Sequence, residues 1–448
     1  MKISLKKKML AVFLVLAFLL VPMLTACNRG GEDNPPEVTT DEPPEEPLTH
    51  KVGFIYSGSI RNSTHNMIWE DARNQLEKNR GIDTCYIENV LISNYPEAVE
   101  VLLSNDVTII VSTNHAFANE TQTAALENTG IKFISFGGTP IANVTVFEPL
   151  LHQPANISGL AASYNSTAAS FGIVTDIAMF NHEAVVNSYI LGIKDFLERE
   201  TTTHVNYVNS ANEQDVRNAI DDLNRKGVDT VMLYLSTDYG IKYCEEKGIK
   251  VVAYSGTLPE LAPSSYVTGF YFNVNSYLTE QVQLIQNDMF TPGRVYGEIS
   301  SNHVKMINLN TTEGLLLSNT KEYTDLLYHS IVRNDNVFAG QIVDNFGKIQ
   351  VEYGYTLSKA EILGIRWLEL SVGNNIDDFS DYITELPIVP LIIREGWHEE
   401  LYPWKPTETE AVTSAEEIES VAESSESSSE DSSESSLAET TVIVTGVQ

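Results

Sequence analysis

The stretch Lys51–Asn66, KVGFIYSGSIRNSTHN, joins an apolar run, Val52–Tyr56, to a polar loop through Ser57-Gly58-Ser59, and a helix-like run begins near Met67. Strand, small-residue turn and helix in that order open a βαβ unit. In an open parallel sheet, ligands bind just beyond the carboxyl ends of the strands. Asn62, His65 and Asn66 are therefore candidate ligand-binding residues. Side-chain amides both donate and accept, and so suit sugar hydroxyls or base edges. An imidazole can stack on a ring or form a hydrogen bond. The competing role for the asparagines is turn and N-cap chemistry.

Downstream, strand-like and helix-like runs alternate. Thr84–Ile87, Val107–Val111, Lys132–Phe136 and Asn143–Phe147 read as strands, and Asn66–Lys78, Tyr95–Leu103 and Ala116–Leu126 as helices. The β-branched run Val107–Val111 fits a strand buried on both faces. After Pro154–Ala169, a helix rich in small residues that reads as a crossover, the alternation restarts. Strands are expected at Phe171–Thr175, His204–Val208, Thr230–Leu235, Ile249–Tyr254 and Tyr266–Phe270, with helices at Val185–Glu198, Glu213–Lys226 and Tyr239–Glu246. Repeated βα alternation predicts parallel sheets covered by helices. Two successive units of domain size argue for two similar lobes rather than one sheet. The helix expected at Ser276–Met289 would return the chain to the first lobe.

Each later strand end adds candidates. Thr113 and Asn114 follow Val107–Val111, Thr237 and Asp238 follow Thr230–Leu235, and Phe180 lies in the loop after Phe171–Thr175. Tyr271 and Asn273 follow Tyr266–Phe270. Hydroxyls, amides and one carboxylate suit ligand hydroxyls or amines, and aromatic rings make lids for planar ligands. Helix capping competes for Thr113, Asn114 and Asp238, and core packing for Phe180. The sequence contains no Gly-x-Ser-x-Gly, no GxxxxGK[ST], no His-Glu-x-x-His and no Cys-x-x-Cys. The expectation is a binding protein, not an enzyme, with no cofactor and no metal.

The ends read differently from the body. Lys2, Lys6, Lys7 and Lys8 precede an apolar run, Met9–Met23, which is too short for a spanning helix and fits a secretory signal. Leu24-Thr25-Ala26-Cys27 follows. Residues 28–50 carry seven acidic residues against Arg29, with many prolines, and read as a spacer that cannot bury a core. The 448-residue chain has a formal charge of −33, and eleven acidic residues with no basic one lie beyond Pro406. Such acidity argues against nucleic acid. Cys27, Cys85 and Cys244 are too few for a disulfide framework, and the latter two read as small core residues. The expected division is a signal peptide over 1–26, a linker over 27–50, the two-lobed body over 51–373, a packed extension over 374–405 and a disordered Ser/Glu tail over 406–448.

Leu-Thr-Ala-Cys resembles the bacterial lipobox, which implies lipidation at Cys27 and a membrane anchor on the extracellular face. KVGFIYSGSIRNSTHN resembles the opening of the basic membrane protein family of substrate-binding lipoproteins, of the form KVGFVxxGxxxDxGWN. GVDTVMLYLSTDYGIKYCEEKGIKVVAYSG follows that family's layout of strand, site loop, helix and strand. VFAGQIVDNFGKIQVEYGYTLSKAEILGIRWLELSVG resembles its closing pattern, VFxGPI, a D-x-x-Gly-Lys turn and a helix ending near a Trp. The resemblance implies a type I periplasmic-binding-protein fold, with two doubly wound parallel-sheet lobes joined by crossovers. It also implies a small-molecule ligand, purine nucleosides for several members, delivered to the permease and ATPase subunits of an ABC importer. The family's loop acid falls on Asn62 and its aromatic on His65, Asn66 is kept, and Ser255-Gly256-Thr257 stand where aspartates often follow a strand. The alternatives are a surface sensor or interaction lipoprotein without transport, and a nucleoside-processing enzyme on the same scaffold.

Overall fold

The computed structural model describes residues 50–196, 201–372, 391 and 393–395. The signal-like segment, Cys27, the linker, most of the extension and the tail lie outside the described residues. The strands are β1 Val52–Ile55, β2 Thr84–Ile87, β3 Ile109–Ser112, β4 Lys132–Phe136, β5 Val144–Pro149, β6 Ser170–Thr175, β7 Thr202–Tyr207, β8 Thr230–Tyr234, β9 Lys250–Tyr254, β10 Tyr266–Phe272, β11 Arg294–Gly297, β12 Val304–Met306, β13 Ile342–Val343, β14 Ile349–Val351 and β15 Ile393–Glu395. The helices are α1 Thr64–Arg80, α2 Tyr95–Leu103, α3 Ala118–Glu127, α4 His152–Asn165, α5 His182–Phe196, α6 Glu213–Arg225, α7 Tyr239–Lys247, α8 Leu258–Leu261, α9 Asn275–Gln286, α10 Thr320–Arg333 and α11 Lys359–Leu363.

The first lobe is built on a seven-stranded sheet in the order β11-β5-β4-β3-β1-β2-β15, and the second on a six-stranded sheet in the order β12-β10-β9-β8-β6-β7. Within these two sheets pairing is parallel except for β15 on β2 and β12 on β10, and β13 and β14 form a separate antiparallel pair. The chain passes to the second sheet through α4, returns through α9 and β11, and crosses again into β12. The two α/β lobes and their crossovers are those of a type I periplasmic-binding fold.

The central strands are apolar on both faces because helices cover both. Every residue of β1, β3 and β8 is buried. The lobes also repeat a packing detail. A Cβ on Gly53 of β1 would stand 2.9 Å from Leu102 and 3.0 Å from Val107, and one on Gly172 of β6 would stand 2.8 Å from Leu223 and 3.0 Å from Val228. In each lobe the first strand thus carries a glycine against which the second helix of that lobe packs directly.

The structure departs from the sequence reading in places that matter for the site. Helix α1 starts two residues early, because the Ser63 side chain accepts from the Asn66 amide and caps it. His65 and Asn66 therefore lie in a helical first turn, not in a loop. The small-residue helix ends at Asn165 rather than Ala169, where Ser166 turns to donate to Asp229 at 2.5 Å. Strands β11 and β15 lie outside the strands read from the sequence. They are edge strands of four and three residues, too short to show a clear alternation.

Candidate functional site

The carboxyl ends of the parallel strands in the two lobes face each other, and several of them end in aromatic residues. Phe136 ends β4, Tyr234 ends β8, Tyr254 ends β9 and Phe272 ends β10. The Phe136 and Phe272 rings meet those of His65 and Trp69 from α1, and Phe136 also meets Phe180 from the loop after β6. Centroid distances are 5.0 Å for His65–Phe136, 5.3 Å for His65–Phe272, 6.0 Å for Trp69–Phe136 and 4.8 Å for Phe136–Phe180. Tyr254 stacks on Phe272 at 6.4 Å. His115 meets Phe180 at 5.4 Å. Side chains of the protein itself thus meet in the space between the strand ends.

Hydrogen bonds fix the protonation of this cluster. His65 Nε2 lies 2.7 Å from the Thr113 carbonyl, so it donates, which leaves Nδ1 to accept from the Tyr254 hydroxyl at 3.5 Å. Burial lowers the His65 pKa to about 4 against the opposing pull of that carbonyl, and burial together with His65 and His182 lowers His115 to about 4. Both imidazoles are neutral at neutral pH. Burial raises the Tyr254 and Tyr234 phenols far above their usual range, so both stay protonated. Tyr234 donates to the Phe180 carbonyl at 2.5 Å and so ties the Phe180 loop to the end of β8.

The polar candidates divide into engaged and unengaged groups. The Thr113 hydroxyl donates to the Ile55 carbonyl at 2.8 Å and stitches β3 to β1. Asn114 donates to Ser57 Oγ at 2.8 Å and accepts from the Ala116 amide at 2.9 Å. The Thr237 hydroxyl donates to the Ser210 carbonyl at 2.8 Å. Asn273 donates to the Asn302 carbonyl at 3.2 Å and accepts from the Asn275 amide at 3.4 Å, at the start of α9. These groups shape loops and helix starts. Tyr271 is half-buried on β10, its phenol raised by burial and by the nearby Asp71 of α1. Asn62 ends the short turn Ile60–Asn62, and its side chain is outside the described set.

Three buried polar atoms, on Trp69 of the ring cluster and on the residues that follow His65 and Phe180 in sequence, have no hydrogen-bond partner: Trp69 Nε1, Asn66 Oδ1 and Asn181 Oδ1. Leaving such a group unpaired costs about 1–3 kcal/mol. Asn66 follows His65 in the first lobe, and Asn181 follows Phe180 in the second with a φ of 53°. Asp238 lies at the boundary between the lobes. Its Oδ1 accepts from Thr64 Oγ1 of the first lobe at 2.7 Å, and its Oδ2 from Thr257 Oγ1 of the second at 2.8 Å.

Sequence reasoning missed Thr64, Trp69, Phe136, Tyr254 and Thr257. Trp69, Phe136 and Tyr254 look like core positions in the sequence. The signal that marks Phe136 is its place directly before Gly137-Gly138 at a strand end. A cavity of about 600 Å³ lies apart from the strand ends, between α4, the loop after β12 and α10. Thr268, Asn310, Thr312 and Thr320 line it, but their side chains already bond within the protein.

A family model described as ABC transporter substrate-binding protein PnrA-like matches residues 49–333. The match ends just before the VFAGQ stretch that begins the closing pattern. No curated protein is similar enough to count as a match. Among solved structures, an ABC transporter solute-binding protein from Aeropyrum pernix is 10% identical with a TM-score of 0.57, over 66% of this chain and 93% of that one. A transcriptional activator of the comK gene from Bacillus halodurans is 17% identical with a TM-score of 0.55, over 63% and 98%. A solute-binding protein from Conexibacter woesei is 14% identical with a TM-score of 0.54, over 64% and 97%. At these identities the likeness is one of fold.

Proposed function

The chain belongs to the PnrA-like family of ABC transporter substrate-binding proteins, and on that premise we propose that it is an extracytoplasmic lipoprotein that captures a purine nucleoside or related small molecule between its lobes. It hands this solute to the permease and ATPase subunits of an importer, and it acts by binding, not by chemistry. The observation that carries this reading is an interlobe cluster of aromatic rings together with two unpartnered buried amide oxygens, Asn66 Oδ1 and Asn181 Oδ1, on the residues that follow His65 and Phe180 of that cluster. Rings recognise a planar base, and buried acceptors recognise its N–H or O–H groups. Closure about the crossovers follows the hinge motion common to two-lobed binding proteins.

Thermal unfolding of the chain lacking residues 1–27, with inosine, guanosine or adenosine, tests the solute class. A nucleoside at about 100 times its Kd stabilises the protein by about 2.7 kcal/mol, a rise of several degrees in Tm. An unchanged Tm with all three at millimolar concentration excludes purine nucleosides, and sugars and amino acids in the same series then identify the class bound.

The lipid anchor rests on the order basic residues, apolar run, Leu-Thr-Ala-Cys. Acyl chains on Cys27 would hold the protein at the outer face of the membrane, each buried methylene contributing about 0.8 kcal/mol. Cys27→Ala is expected to move the protein from the membrane pellet to the soluble fraction. Retention of the variant in washed membranes refutes the anchor.

A further inference from the structure

We propose that Asp238 is an interlobe clasp that keeps the cleft shut when no solute is bound. The proposal takes the cleft as the solute site, as above, and adds what governs access to it. Both carboxylate oxygens are engaged, one by Thr64 of α1 and one by Thr257 of the loop after β9. The Thr64 backbone N–H also donates across the boundary, to the Ser236 carbonyl at 2.8 Å. The capped start of α1 is thus held to the loop after β8 by a side-chain bond and a backbone bond at the same residue. Thr257 is oriented in turn, since its hydroxyl lies 3.1 Å from Ser255 Oγ and its amide donates to that atom at 3.1 Å.

This arrangement differs from an ordinary helix cap. Asp238 immediately precedes α7, yet its side chain makes no capping bond to that helix. A hydrogen bond to a carboxylate is stronger than one between neutral groups. The neutral rings of His65, Phe136, Phe180 and Phe272 meet beside the clasp and add apolar contact across the same boundary. With the lobes so tied, a solute enters only after the Thr64 bonds break. Asp238 acts as a positioning residue whose partners, until then, are the protein's own hydroxyls.

The Thr64 amide reports the clasp directly, because its acceptor belongs to the other lobe, and the Thr113 amide is an internal reference, because it donates to Ile55 of its own lobe. Hydrogen–deuterium exchange is measured on the solute-free protein lacking only residues 1–27. The expected result is slow exchange at Thr64 in the parent chain. It becomes faster by about tenfold or more in Asp238→Ala and Thr64→Val, with Thr113 unchanged. Thr64→Ser, which keeps the hydroxyl, exchanges as the parent does. If Asp238→Ala fails to fold, the Thr64→Val and Thr64→Ser pair decides. Equal Thr64 exchange in the parent and in Thr64→Val overturns the clasp. The measurement uses no solute, so its failure leaves the nucleoside reading to the thermal titration, and failure of that titration leaves the clasp standing.

Discussion

Replacing Arg73 with alanine is expected to lower the stability of the body by about 3–5 kcal/mol. Arg73 and Glu70 face each other on α1 with side-chain exposures of 1% and 2%. The guanidinium donates to both Glu70 oxygens, at 2.8 and 2.6 Å, to Glu77 at 2.9 Å and to Thr84 at 2.5 Å. It also lies over the Tyr86 ring at 4.7 Å. Tyr56, just beyond β1, completes the group by donating to Glu70 at 2.8 Å. Alanine would leave Glu70 as a buried charge with Tyr56 and Asn74 as its nearest donors, and an unpaired buried charge costs far more than the pair contributes. Urea unfolding followed by circular dichroism should show a lower midpoint at an unchanged slope. The double variant Glu70→Leu with Arg73→Met should recover much of the loss, because an apolar pair replaces a buried ion pair at little cost. A loss below about 1 kcal/mol for Arg73→Ala would mean that water reaches the pair.

Gly192→Ala is the second large effect. A Cβ at Gly192 of α5 would stand 2.0 Å from the Asn156 carbonyl oxygen of α4, and one at Gly159 of α4 would stand 2.1 Å from the Tyr189 carbonyl oxygen of α5. The obstacle is backbone, so no side chain can turn away. The two helices, also tied by Asn156 Nδ2 donating to the Ser188 carbonyl at 3.0 Å, must separate. Overpacking a core costs about 1–3 kcal/mol where side chains can adjust, and rigid backbone puts this site at or above the top of that range. Thermal unfolding should place Gly192→Ala many degrees below the parent. Gly130→Ala, with no atom within 4 Å, should stay within about 0.5 kcal/mol. Equal midpoints for the two variants would show that α4 and α5 do not cross this closely.

Most of the fold could be read from the sequence because each lobe's central strands are continuous apolar runs followed by small or polar residues. Val107–Val111 and Thr230–Leu235 leave little room for another reading. The helix start at Thr64 was harder to read. It depends on one serine side chain reaching the Asn66 amide, and the same serine would suit a loop. Strands β11 and β15 owe their pairing to partners far away in the chain, which four- or three-residue runs do not announce. At the candidate site, residue type identified which groups can hydrogen-bond but not which already do. Thr113, Asn114 and Thr237 are engaged by carbonyls, amides and hydroxyls that only the folded chain brings near. Asp238 was legible as a carboxylate at a strand end, but its Thr64 partner lies 174 residues away in the sequence.

Residues beyond 333, outside the matched family region, reach an outer strand of each sheet. Strand β15 pairs with β2, and Val372 bridges to Thr203 of β7. Lys51 adds an ion pair to Glu395 at 2.5 Å. An open strand edge is a template on which another chain can extend the sheet. By replacing the four-residue edge of β2 with the three-residue β15, and by bridging to β7 at Val372, the late part of the chain shortens the open edges and so limits strand-by-strand association with neighbours. For a protein proposed to be crowded on a membrane surface, that protection bears on solubility rather than on solute recognition.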